Sequence, residues 1–132
     1  MIDVQDDNGV KKYDTGKSPL SVGCIRRFPL ALQQIALVSE YGMRKYGTYD
    51  GWETLPNALE RYTDAGARHD SLVASEGEYD INDSGLPHRS QKAWNALAEL
   101  ELALREDIIE LTPGNEIKDG APVIGSNGKT NE

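Results

Sequence analysis

At 132 residues the chain can form one domain with one real core, and it is small for an enzyme that works alone. Its formal net charge of −8, without a long run of Lys or Arg, argues against duplex DNA or RNA as a partner, because neutralising phosphates supplies most non-specific affinity. One cysteine, Cys24, and no run of about 18 apolar residues exclude an internal disulfide, a cysteine metal pair and a membrane span. A small phosphorylated ligand remains compatible with this balance, since bound cations can offset acidic charge locally.

Residues 1–23 read as a polar, turn-rich arm, with K-K-Y-D-T-G-K-S at 11–18 as its structured piece. Met1 is followed by Asp3, Asp6 and Asp7 instead of a basic start and an apolar core, so no signal peptide is expected and a soluble, cytoplasmic chain is. Cys24, between Gly23 and Ile25, reads as a small, partly buried apolar residue.

Pro29 opens the first predicted helix, where its missing N–H costs nothing. Ala31, Leu32, Ile35, Val38, Ser39, Gly42 and Tyr46 fall on one face, and Gly47 closes the helix. Thr54 is the expected N-cap of a second helix over residues 55–73, with a stripe of Ala58, Leu59, Tyr62, Ala65, Gly66, His69 and Val73. A third helix over 86–111 is expected to be capped by Asp83 or Ser84 and to turn Ala93, Leu97, Leu100, Leu104 and Ile108 toward the core. The result is an all-α fold, a small helical bundle over residues 1–111, with a Gly/Asn-rich flexible tail over 112–132. Leu30, Leu37 and Tyr41 lie opposite the Ile35 stripe, and a single short bundle cannot bury both faces. A homo-oligomer, dimer or tetramer, is therefore expected.

Both histidines, His69 and His88, bracket five acidic residues: Asp70, Glu76, Glu78, Asp80 and Asp83. Imidazoles and carboxylates gathered in this way can hold a divalent cation or move a proton. Taken alone, His69 in mid-stripe also fits a hydrogen-bonded core histidine, and Arg68 beside it could grip a carboxylate or phosphate as a fork. His88, Asn95 and Glu99 share a polar face that is either plain surface or the lining of a cleft. Glu60 and Asp64 point away from the second stripe, and Glu40 is set to pair with Arg44, so all three read as solvated. Gly16-Lys17-Ser18 ends like a phosphate-binding P-loop, but Lys11 stands where that motif requires its first glycine. Lys17 could still reach a phosphate as a point charge.

Taken in order, K-Y-D-T-G-K at 12–17, Y-G-M-R-K-Y-G at 41–47, Gly51-Trp52, R-H at 68–69, G-E-Y-D-I-N-D-S-G-L-P-H at 77–88 and K-A-W-N at 92–95 resemble the phage dATP/dGTP diphosphohydrolase family. That family is a MazG-like branch of the all-α nucleotide pyrophosphohydrolases. The resemblance implies metal-dependent hydrolysis of dGTP and dATP to the monophosphate and pyrophosphate, in the cytoplasm of a host whose phage builds 2-aminoadenine into its DNA. It implies two or more Mg²⁺ or Mn²⁺ ions, with Asp80 and Asp83 as ligands and Glu78 in support. His69, His88, Arg68 and Lys17 would form the catalytic set, and Lys17 and Lys45 would hold phosphates. Tyr13, Tyr46 or Trp52 would stack on the purine, and Asn95 would read a sugar or base edge. The chain departs from the family pattern at Gly51, where an asparagine usually precedes the tryptophan, at Gln91, where a second histidine is common, and at Asp70, where an apolar residue is usual. The helix-borne glutamate motif of classical MazG proteins is not visible. The rival reading is a non-catalytic phage adaptor or nucleotide-binding bundle whose acidic loop is only a solvated connection.

Overall fold

Helix α1 runs from Pro29 to Tyr46, as its pattern predicts, with Pro29 in the first turn. It stops at Gly47, whose φ of 83° places it in the left-handed region that a side chain at this position would strain, and whose N–H closes onto the Met43 carbonyl. The computed structural model describes residues 4–5, 11–12, 16–109, 117–118 and 121–122. They divide into two units, Phe28–Glu106 and a second made of Met1–Arg27 with Asp107–Glu132.

Helix α2 spans Ala58–Glu76, three residues later at each end than the sequence pattern suggests. Pro56 is the reason. A residue before proline is pushed out of the helical region, and Leu55 is extended, with ψ at 132°. Thr54 therefore closes a short 3₁₀ turn, Gly51–Thr54, instead of capping α2, and Asn57 in the left-handed region starts the helix. The predicted stripe holds: Ala58 is buried, and Leu59, Tyr62, Ala65, Gly66, His69 and Val73 are partly covered.

Helix α3 spans His88–Arg105, shorter at both ends than expected. Leu86 precedes Pro87 and cannot begin the helix; Pro87 is the N-cap. Neither expected cap serves: the Ser84 hydroxyl accepts the Leu86 N–H at 3.1 Å, and the Asp83 side chain turns to Tyr41. At the far end Asp107 takes a positive φ of 58°, which carries Ile108 off the helix axis. The inward face is also not the predicted one. His88, Gln91, Asn95, Ala98 and Leu102 are buried, whereas Leu97 and Leu100 remain 47% and 49% exposed. Hydrophobic periodicity ignores hydrogen bonding, and polar side chains on this face find partners where they are buried: Ser90 donates to Gln34 at 2.7 Å, Gln91 to Asp80 at 3.2 Å and Asn95 Nδ2–H to the Gln91 carbonyl at 2.7 Å. α2 and α3 form the closest-packed pair, and α1 packs on α3.

In the other unit a π-helical turn covers Ser21–Ile25, and Cys24 is partly covered. Val4–Gln5 pairs antiparallel with Lys11–Lys12, and Ile117–Lys118 with Ala121–Pro122. The rest of the expected flexible tail lies outside the described residues. The architecture is all-α, and among the described residues no helix is long and apolar enough to cross a membrane.

Candidate active site

The loop between α2 and α3 is tied down by its own backbone. Asp80 N–H donates to the Leu86 carbonyl at 2.9 Å, Gly85 N–H to the Asp80 carbonyl at 2.7 Å, and His88 N–H to the Glu78 carbonyl at 2.7 Å. Gly85, at φ 77°, makes the reversal without a side-chain clash. Folding the loop this way buries Asp80 to 7% exposure and His88 completely.

Three side chains meet there. His69, Asp80 and His88 each present a ligating atom within 4.8 Å of the others, which makes them a group that could hold a metal ion. The two Nδ1 atoms of His69 and His88 are 2.9 Å apart, and His88 Nε2 lies 2.9 Å from Glu76 Oε1. A carboxylate accepts, so His88 Nε2–H donates to Glu76; in the neutral ring this leaves Nδ1 bare, to accept from His69 Nδ1–H. Burial pushes the His69 pKa below its ordinary value, and the neighbouring His88 lowers it further. Folding therefore disfavours the protonated ring. In metal-free buffer the melting temperature is expected to hold above pH 6.5, the unperturbed histidine value, and to fall as the pH drops below it. A thermal melt series in EDTA from pH 7.5 to 5.5 checks this, and a flat profile would contradict it.

His69 also belongs to the wall of a cleft of about 570 Å³ enclosed by α1, the Gly51–Thr54 turn, α2 and α3. One side is aromatic. Trp94 meets Trp52 and Tyr62 edge to face, each at 5.5 Å between centroids, and Trp52 meets Tyr62 at 6.3 Å. Trp94 Nε1–H is anchored on the Ser39 hydroxyl at 2.9 Å. The cleft also carries Lys45, Arg61 and Arg68. Lys45 Nζ lies 3.5 Å from Asp83, whereas Arg68 has no ion-pair or hydrogen-bond partner among the described residues. Asp83 is held below the usual carboxylate range, first by the hydrogen bond from Tyr41 and then by Lys45.

The structure thus brings Lys45, Tyr46, Trp52, Arg68, His69, Asp83 and Asn95 to one cleft and sets Asp80 and His88 against His69. Glu78 is turned to Arg89, at 3.4 Å, and stands apart from the histidines. Lys17 is exposed in the other unit, and Tyr13 lies outside the described residues. Glu60, Asp64 and Glu40 are exposed, and Glu40 pairs with Arg44 at 3.0 Å. Sequence reasoning passed over Tyr41, Arg61, Glu76 and Gln91 as site residues. For two of them spacing held the signal: Glu76 follows His69 by seven residues on α2, and Gln91 follows His88 by three on α3, so each shares its histidine's face.

A bundle with an imidazole–carboxylate cluster beside a cleft of aromatic rings and cations has the parts of a helical hydrolase for a phosphorylated aromatic ligand. Residues 7–111 match the family described as dATP/dGTP diphosphohydrolase, N-terminal, and the chain belongs to that family, a family of nucleotide diphosphohydrolases. No curated protein and no solved structure matches the chain.

Proposed function

We propose that the cleft takes a purine deoxynucleoside triphosphate, dGTP or dATP, and that divalent ions, Mg²⁺ or Mn²⁺, assist its hydrolysis to the monophosphate and pyrophosphate. The observation that carries this reading is Arg68, a cation without a partner among the described residues, on the same cleft as the tryptophan wall and adjacent in sequence to His69. A nucleotide offers a ring for one side and phosphates for the other. Water would attack the α-phosphorus, forming one P–O bond while the bond to the α–β bridging oxygen breaks and pyrophosphate leaves. Lys45 and Arg68 would stabilise the charge that develops on the phosphates. Asn95, buried in the cleft with its Oδ1 unpaired among the described residues, would accept from a sugar hydroxyl or base N–H.

The donor set fits a cation. His69, Asp80 and His88 would hold one ion, and Asp83, with Glu78 further out, remains the candidate for ions that arrive with the triphosphate. Bound there, such ions neutralise phosphate charge and acidify water. The biological setting that best suits a purine-specific enzyme of this family is a phage that clears dGTP and dATP while it builds 2-aminoadenine DNA.

The test is product analysis with dGTP and dATP in the presence of Mn²⁺ or Mg²⁺. Monophosphate and pyrophosphate in equal amounts are expected; nucleoside with intact triphosphate, or release of inorganic phosphate alone, would overturn the proposal. The exposed row of Leu97 and Leu100 on α3, with Leu30 and Leu37 on α1, supports a homo-oligomer. Light scattering at micromolar concentration is expected to return a multiple of 14.5 kDa, and the monomer mass would exclude it.

A further inference from the structure

The arrangement of the two histidines says more than that a cation could bind. We propose that His69, Asp80 and His88 form a site for one first-row transition dication, of the Mn²⁺ or Co²⁺ class, in preference to Mg²⁺, oriented by Glu76 and Gln91. This rests on the reading above that the cluster holds a catalytic ion, and it specifies which kind.

The donors decide the preference. Mg²⁺ is hard and slow to dehydrate, and it takes carboxylate, phosphate and water oxygens. Imidazole nitrogen suits later, softer dications, whose affinity for nitrogen sites rises along the first row. Here two of the three ligating atoms are imidazole nitrogens.

The geometry agrees. Adjacent ligands on an ion with bonds of about 2.1 Å stand roughly 3.0–3.4 Å apart. The two Nδ1 atoms, at 2.9 Å, already have nearly that separation. An ion between them would take both Nδ1 atoms, with the hydrogen of His69 moving from Nδ1 to Nε2 by tautomer exchange.

The surroundings leave the ligating atoms available. Glu76 occupies His88 Nε2 at 2.9 Å, fixing the tautomer that leaves Nδ1 bare, as a carboxylate behind a metal-bound histidine does. Gln91 Nε2–H occupies Asp80 Oδ2 at 3.2 Å, so the other carboxylate oxygen has no hydrogen bond among the described residues. Each contact aims one ligand. Three protein ligands leave open positions, and His69, the one member on the cleft wall, places them beside the cleft.

The experiment uses the full chain, stripped with EDTA, without nucleotide. Calorimetric titration and thermal melts are run with Mn²⁺, Co²⁺ and Mg²⁺. One equivalent of Mn²⁺ or Co²⁺ is expected to bind at least about 10-fold more tightly than Mg²⁺ and to raise the melting temperature. Co²⁺ should add visible absorption bands shifted from those of the aquo ion. Glu76→Gln, at a partly exposed residue whose loss the fold should tolerate, is expected to weaken Mn²⁺ binding by about 10- to 100-fold, and Glu60→Gln on the solvated face to leave it unchanged. Equal affinity for Mg²⁺ and Mn²⁺, or unaltered binding in a folded His69→Ala variant, would overturn the site. The two readings fail separately. Hydrolysis that runs on Mg²⁺ with no Mn²⁺ preference overturns this inference and leaves the proposed reaction standing. Selective Mn²⁺ binding without turnover of any triphosphate supports the site and counts against the reaction.

Discussion

Asp80→Asn is expected to keep the helices and to lower dGTP turnover by about 100-fold or more, roughly 2.7 kcal/mol of barrier. The backbone contacts that build the 77–87 loop run through the Asp80 N–H and carbonyl and do not involve its side chain. Asparagine has the same shape, and its oxygen can still accept from Gln91. What disappears is the one anion in the group formed with His69 and His88. Circular dichroism and turnover on the same preparation separate a lost ligand from a lost fold. The same change at Asp83 is expected to act more mildly, because that carboxylate meets Tyr41 and Lys45 and not the imidazoles. Normal turnover in a folded Asp80→Asn variant would remove Asp80 from the site.

The largest loss of stability is expected from Trp94→Ala. This ring touches both Trp52 and Tyr62 and ties α3 to α1 through Ser39, so its removal opens the centre of the aromatic wall. Truncating a large aromatic side chain costs about 3 kcal/mol or more, which for a domain of this size lowers the melting temperature by more than about 10 °C. Trp94→Phe keeps an aromatic ring in the wall but loses the Nε1–H bond and part of the indole's packed area, so a smaller loss, about 1–2 kcal/mol, is expected there. A Trp94→Ala variant that melts within about 2 °C of the parent would show that the wall contributes little to the fold.

The sequence placed the helices well wherever the local signal was strong. Pro29 and Gly47 mark α1 because both act through backbone geometry alone. The α2 stripe is legible because its inward residues are mostly apolar or small. Pro56 and Pro87 were visible as well, and weighing their effect on Leu55 and Leu86 would have moved both helix starts. The face of α3 was not legible from periodicity. Its buried row, His88, Gln91, Asn95 and Ala98, is polar or small, and burial is tolerable only because partners from Asp80, Glu76 and the backbone arrive from distant positions. Motif order pointed to the cleft residues Lys45, Trp52, Arg68 and Asn95. The 2.9 Å approach of His69 to His88 depends on how α2 and α3 pack and on the loop that joins them, which spacing along the chain does not encode.

The interior of Phe28–Glu106 buries Ala58, Ala98, Leu102 and Ala103 beside Asp80, His88, Ser90, Gln91 and Asn95. So mixed an interior yields little hydrophobic stabilisation. A ligand that binds only the folded chain adds RT ln(1 + [L]/Kd), about 2.7 kcal/mol at a hundredfold excess over Kd, a large share of the stability of a small domain. Proteases act on the opened form, whose population falls as the site fills. The amount of this enzyme in a cell should then follow the supply of what it binds: scarce ligand shortens its lifetime, and a swollen nucleotide pool preserves the catalyst that drains it.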